Sequence, residues 1–336
     1  MSETEVNYHP HLADYAWTFG GAKPVLAIRP GTMMRIWTDD AFCGRIQQRG
    51  PRKPEAVQPV LFNPQSGPFY VAGAEPGDTL ALHFLSIEPA RDWGVSTTAA
   101  YFGALTSTTE TVTLQPPLPE LVWTYDVDLS RRLVQFAALD SECTFEWPLD
   151  PMLGTVGVAP ALSEVRSSLV PGPFGGNLDV PAMRAGTTCY LGVNVPGALF
   201  SVGDGHYRQG EGETCGTAVE GAMESVVMVE LIKNVLTPWP RLEDDANIMS
   251  VGCARPLDDA FRIAQADLVH WMSAELGLSV MDAYQVISQT CETSVASVVN
   301  PTYTIVAKVP KAWVPSVKPY GGIRSHLVDR CRSRQG

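Results

Sequence analysis

The 336-residue sequence is short of positive charge, and of charge altogether. Lys and Arg number 24 against 36 Asp and Glu, a net charge of −12, and charged residues make up only 18% of the chain. That balance argues against nucleic acid or an anionic membrane surface as the main partner. No uninterrupted apolar stretch reaches the ~20 residues that a membrane span requires. The opening MSETEVNYHPHLADY is acidic and polar, not the basic-then-apolar pattern of a secretory leader, so a soluble, cytoplasmic protein is expected. The seven cysteines (43, 143, 189, 215, 253, 291 and 331) contain no C-x-x-C pair, which leaves no zinc ribbon or dithiol redox motif and points to reduced thiols in a reducing compartment. The dinucleotide fingerprint G-x-G-x-x-G is also missing where a Rossmann unit would need it.

Hydrophobic residues are 45% of the chain, enough for a real core and too many for a disordered one. The 29 glycines and 27 prolines call for frequent turns. A Gly-containing turn followed by Thr and an apolar run occurs three times, as PGTMMRIW (30–37), EPGDTLALHFLSI (75–87) and RAGTTCYLGVNV (184–195). In the middle copy, strand alternation puts Leu80, Leu82 and Phe84 on one face and Ala81, His83 and Leu85 on the other, so both faces are largely apolar and the strand is interior. Short strands with Gly/Pro turns predict a mainly β protein over 1–235, a β-sandwich or barrel.

The pattern changes after residue 255. Leu257, Phe261, Ala264, Leu268 and Trp271 recur at helical spacing, and Ser279 with Asp282 makes a capping box for a second helix carrying Val280, Ala283, Ile287 and Cys291 inward. These predict helices over 257–275 and 279–291 in an α/β portion spanning 236–317. The remainder, 318–336, has little to bury and is expected to be a mobile tail.

The densest cluster of chemically capable residues is SVGDGHYRQGEGETCGTAVE (201–220). Gly203, Gly205, Gly210, Gly212 and Gly216 permit close backbone approach and bracket Asp204, His206, Glu211, Glu213, Cys215 and Glu220. A hairpin turn accounts for Asp-Gly but not for five glycines interleaved with acids, a His and a Cys. GGNLD (175–179), with Asn177 and Asp179, reads alone as an ordinary turn. The small-residue segment DPMLGTVGVAP (150–160) suits tight packing or a pocket wall. His83, alone in an apolar strand, is either a satisfied core histidine or a pocket residue.

Four blocks, GPFYVAGAEPGDTLALHF (67–84), PMLGTVGVAP (151–160), GGNLD (175–179) and VPGALFSVGDGHYRQGEGETCGTAVE (195–220), together resemble the acetamidase/formamidase family of amide hydrolases. The resemblance implies a mainly β, jelly-roll-like sandwich with an α/β portion towards the C-terminus, and hydrolysis of small amides to a carboxylate and ammonia; some similar proteins act on γ-lactams. Tyr207, Arg208 and Glu211 depart from the GDGHAAQGDGE pattern common in the family.

Amide hydrolysis needs an activated nucleophile, a stabilised oxyanion and protonation of the leaving nitrogen. A divalent metal, with zinc the first expectation, supplies the first two. Asp204 and His206 offer suitable donors, Asp179 could add a third after folding, and Glu220 would be the general base. The rival arrangement makes Cys215 a nucleophile with His206 or Glu220 as its base. A third reading is a non-catalytic jelly-roll binder of a small polar ligand, which has no use for Glu220. Asn177, Gly205, Cys215 and His83 are candidate pocket residues.

Interior-looking strands and low charge suggest apolar surface shared between subunits, most simply in a homodimer. Sedimentation at micromolar concentration is expected to give about twice the chain mass of 36.4 kDa; a species at the chain mass contradicts it.

Overall fold

The computed structural model describes residues 5–51, 62–106 and 116–335. Segments 52–61 and 107–115 of the expected strand region lie outside the described residues. The protein is mainly β. Among the described residues one sheet has nine strands and a second has eleven, almost all antiparallel. Their inner faces share one core, in which Leu80, Leu82 and Phe84 of the strand Thr79–Pro89 meet Phe69, Leu153, Val156 and Phe200 of the second sheet. The period-two pattern puts these residues on one face, and burial of that face against another sheet is what aligns the two layers.

The nine-stranded sheet continues across residue 235. Thr188–Gly192 pairs with Arg241–Glu243, which pairs in turn with Asn247–Ala254, and Tyr303–Pro310 and Glu292–Ser297 complete the edge. Two helices pack on this extension: α1 (Leu257–Leu276) and α2 (Val280–Thr290). Both lie within one residue of the predicted bounds. The Ser279 side chain caps α2 by accepting from the Asp282 N–H at 3.1 Å.

The facing of α1 differs from the expectation at one position. Ala264, Leu268 and Trp271 are buried as expected, whereas Phe261 is 45% exposed and Ala260 and Met272 are buried in its place. The reason is close approach: a Cβ on Gly252 would stand 2.3 Å from the Ala260 carbonyl oxygen and 2.5 Å from the Ala264 nitrogen. Only a glycine below two alanines lets the helix sit this near the sheet, and that contact sets its rotation. In α2, Ala283 and Ile287 are buried as expected, whereas Val280 is exposed and Cys291 half-buried.

The C-terminal stretch corrects the expectation of a mobile tail with little to bury. Ile323–Gln335 forms α3, whose Leu327 and Cys331 are buried with Ala81, Tyr190 and Met228. These last three lie on the outer face of the nine-stranded sheet, so α3 covers the second apolar face that the Thr79–Pro89 sequence requires. Arg330 pairs with Glu230 at 2.9 Å and holds the helix to that sheet. Among the described residues, no helix is long and apolar enough to cross a membrane.

One buried ion pair locks α1 to its sheet. Arg241 donates from Nε and Nη2 to the two carboxylate oxygens of Asp267, each at 2.8 Å, and the Ser250 hydroxyl donates to the same carboxylate at 2.6 Å. The guanidinium also lies 4.7 Å from the Trp271 ring. Removing one partner strands a buried charge, so Asp267→Ala should cost about 3–5 kcal/mol of stability. Denaturant unfolding measures this, and a loss below about 1 kcal/mol would contradict the assigned role.

Candidate active site

The strand Phe200–Arg208 carries Asp204 and His206 two positions apart, hence on the same face. It is flanked by Met152–Gly157 on one side and by the short strand Val219–Glu220 on the other, where His206 is paired with Glu220. Asn177 comes from Gly175–Asn177, paired with Met152–Gly157. Asp179 and Glu213 follow from loops, and the bridge from Gly212 to Ser297 ties the Glu213 loop to the other sheet. Thus Asp179, Asp204, His206 and Glu220, picked out from sequence, converge with Glu213, and all five are buried.

The convergence depends on a glycine and on unusual backbone. A Cβ on Gly154 would stand 2.6 Å from both Asp179 Oδ1 and Asp204 Oδ2 and 2.8 Å from His206 Cε1, so Gly154 is the floor on which these groups rest. The small-residue segment 150–160 was expected to suit tight packing or a pocket wall, and at Gly154 it is tight packing beneath the acids. Asp179, Asp204 and Glu213 all adopt left-handed backbone, with φ of 47°, 60° and 48°. Such conformations cost of order 1–3 kcal/mol each and persist where the surroundings enforce them, as at functional sites.

His206 Nε2 lies 3.5 Å from Asp204 Oδ1 and 3.3 Å from Glu220 Oε2. Its Nδ1 is 2.9 Å from Gln209 Oε1. The Gln209 amide nitrogen is committed to the carbonyls of Asp179 and Ala296, at 2.7 and 3.1 Å, so its oxygen accepts and Nδ1 carries the proton. Nε2 is thereby aimed at the acids. Asp204 Oδ2 accepts from Asn63 Nδ2 at 3.0 Å and from the Thr155 hydroxyl at 3.2 Å. Asn300 donates to Asp179 Oδ2 and to the Asn177 carbonyl, and the Ala218 N–H donates to Glu220 Oε1 at 2.9 Å. Two buried oxygens, Asp179 Oδ1 and Glu220 Oε2, have no hydrogen-bond donor among the described residues.

Burial raises Glu220 to about 7, against the opposing pull of His206 and with a further push from Asp204. Asp179 is raised to about 7 by burial and by Asp204, and Glu213 is pushed well above its usual value by burial and Asp179. For His206 burial acts downward, but Glu220 and Asp204 outweigh it and hold the imidazole well above its usual value. All these shifts express one fact: negative charge is crowded here in a dry place.

A divalent cation fits this donor set. Two overlapping groups, Asp179–His206–Glu213 and Asp204–His206–Glu220, each have ligand atoms within 4.8 Å of one another. One imidazole nitrogen with carboxylate oxygens is chemistry that zinc accepts, and the two oxygens without donors point to a missing positive partner.

The remaining sequence candidates separate clearly. Asn177 lines the cavity above the acids. Gly205 serves packing, since a Cβ there would stand 2.3 Å from the Gly221 carbonyl oxygen. His83 is a buried residue of the nine-stranded sheet with Nδ1 2.9 Å from the Thr188 hydroxyl, and it does not line the cavity. Cys215 is exposed, its thiol 3.3 Å from the Thr217 carbonyl, and it belongs to neither acid group. Tyr207 points into the core, its hydroxyl donating to the Ala222 carbonyl at 3.0 Å, and Arg208 reaches the Pro148 carbonyl at 2.8 Å. Neither of these residues touches the cavity, and Glu211, the third departure from the family pattern, is exposed and does not line it. Asn63, Thr155, Gln209 and Asn300 were not singled out from sequence. Glu213 stood out only as one of the acids of the Gly-rich block, without a role; Gln209 lies in that block and Thr155 in the small-residue segment, while Asn63 and Asn300 had no signal.

Residues 152–256, which contain the five titratable groups and Gly154, match the acetamidase/formamidase family. The crystal structure of an acetamidase from Yersinia enterocolitica is similar over 93% of both chains, with 37% identity and a TM-score of 0.85. The chain belongs to the acetamidase/formamidase family. Among further acetamidase/formamidase relatives, an acetamidase from Bacillus halodurans is 27% identical, covering 94% of this chain and 99% of its own, at a TM-score of 0.81. A Schizosaccharomyces pombe protein described as a candidate formamidase is 26% identical over 212 residues, and the match spans 52% of its length.

Gly154→Ala is expected to displace Asp179 and Asp204 while leaving the fold intact, lowering metal affinity about 10–100-fold. Circular dichroism and metal titration test this together; unchanged affinity would show that Gly154 does not support the donors.

Proposed function

We propose that the chain hydrolyses the C–N bond of a small amide, giving a carboxylate and ammonia, with Glu220 as general base. The observation that carries this is the position of Glu220: its Oε2 lacks a donor and faces His206 Nε2 within a group of donors suited to a divalent cation. Asp204, His206 and Asp179, with Glu213, would hold the cation, and zinc is the ion proposed. When bound, it supplies Lewis acidity for the carbonyl oxygen and lowers the pKa of a water.

The chain's own residues do the rest. Glu220 Oε2 takes a proton from the attacking water as its oxygen bonds to the amide carbon. The same carboxyl then gives that proton to the nitrogen as the C–N bond breaks. Its Oε1 is fixed by the Ala218 N–H, which leaves Oε2 for the transfer. Asn63 and Thr155 orient Asp204, and Gln209 fixes the His206 ring, so neither must reorganise during reaction. The buried setting excludes bulk water from these transfers. The seven free thiols suit a reducing cytoplasm, which we take as the location.

Ammonia release from amides by three variants tests the assignment. Glu220→Gln should retain metal and fold and lose about 10²-fold or more in rate. His206→Ala should lose metal and activity together, and Cys215→Ser should stay within a few-fold of the starting protein. An inactive Cys215→Ser protein, with activity indifferent to chelators, would transfer the chemistry to the cysteine.

A further inference from the structure

The acid groups lie at the inner end of a cavity of about 460 Å3. Pockets of roughly 300–1,000 Å3 suit drug-sized ligands. Acetamide has four non-hydrogen atoms and formamide three, so either would leave most of this space unfilled. Asp204, His206, Glu213 and Glu220 in the wall are buried, whereas Tyr101, Ala104 and Pro301 in the same wall are exposed. A ligand therefore enters past the second set to reach the first. Phe42, Phe62, Phe102, Leu169 and Val299, buried or half-buried, also line the space.

These side chains carry no group that can hydrogen-bond a carboxamide. What they offer a ligand is removal of apolar surface from water and ring-to-ring contact. The Phe102 ring is itself held in place: a Cβ on Gly216 would stand 2.6 Å from Phe102 Cδ1, so the ring packs directly on that loop. Contacts with a remote part of a substrate position its reacting group and raise the rate, and a single methyl engages few of them. The carboxylates disfavour an acyl group bearing negative charge, and Arg255 in the same wall is engaged with the Asn300 carbonyl at 3.1 Å and with the Tyr303 ring.

We propose that the substrate is a primary amide with an uncharged arylalkyl acyl group, its carboxamide among the acids and its ring against Phe42, Phe62 and Phe102. This rests on the amide-hydrolase reading above and narrows its substrate class. The test compares kcat/KM for 2-phenylacetamide, acetamide and formamide by ammonia release, in the metal-loaded protein and in two variants. Phe102→Ala removes a ring contact; Leu169→Trp fills the space by addition. In the unaltered protein 2-phenylacetamide should exceed acetamide by about 10²-fold, since one methylene in an apolar pocket is already worth roughly 10-fold or more. In each folded variant that ratio should fall by about 10-fold. Acetamide or formamide at or above 2-phenylacetamide, or a ratio unmoved in both variants, overturns the inference and leaves the amide-hydrolase reading standing. Hydrolysis of none of the three overturns that reading and the inference with it.

Discussion

Four carboxylates and one imidazole are buried together at Asp179, Asp204, Glu213, Glu220 and His206, and the repulsion among them is the constraint that the surrounding structure answers. Burying even one unpaired carboxylate is unfavourable by several kcal/mol. The protein offsets part of this with neutral donors: Asn63 and Thr155 at Asp204, Asn300 at Asp179, the Ala218 N–H at Glu220 and Ser297 at Glu213. Within the two acid groups the imidazole is the one group able to bear positive charge. What the donors leave over is visible as raised proton affinities at Asp179, Glu213 and Glu220, and as two oxygens with no donor. A bound divalent cation would offset these penalties together, so electrostatics supports the metal reading as well as the ligand types do.

The same constraint explains the local architecture. Bringing acids from Phe200–Arg208, from the loop after Gly175–Asn177 and from the Glu213 loop to one point requires a strand that bends and a floor without side chains. Left-handed backbone at Asp204 supplies the first and Gly154 the second. The regular part of the fold, two sheets sharing a core and an α1 helix seated on Gly252, acts as the rigid frame that enforces these strained positions.

Much of this was legible in the sequence because it rests on local pattern. Strand alternation in residues 79–85 placed Leu80, Leu82 and Phe84 correctly, helical spacing gave α1 and α2 nearly to the residue, and the Gly-rich block marked Asp204, His206 and Glu220. What escaped was long-range. Phe261 fits the apolar stripe of α1, but the contact at Gly252 rotates it outward. The apolar outer face of the Thr79–Pro89 strand demanded a cover, and nothing in the Arg-rich composition of 318–336 revealed that α3 supplies it through Leu327 and Cys331. Asn63 and Asn300 sit about 120 residues or more from the carboxylates they serve, so no spacing rule could connect them. Cys215 lies in the Gly-rich block and His83 in an apolar strand of another matching block, and neither joins the acid groups.

The central claim, that this acidic centre is built for a divalent cation, is tested most directly by anomalous diffraction from crystals grown with zinc. The account predicts a single dominant anomalous peak within bonding distance of His206 Nε2 and flanked by the carboxylates of Asp179, Asp204, Glu213 or Glu220. A protein active on amides with no anomalous peak at His206, or with its strongest peak elsewhere, would contradict it.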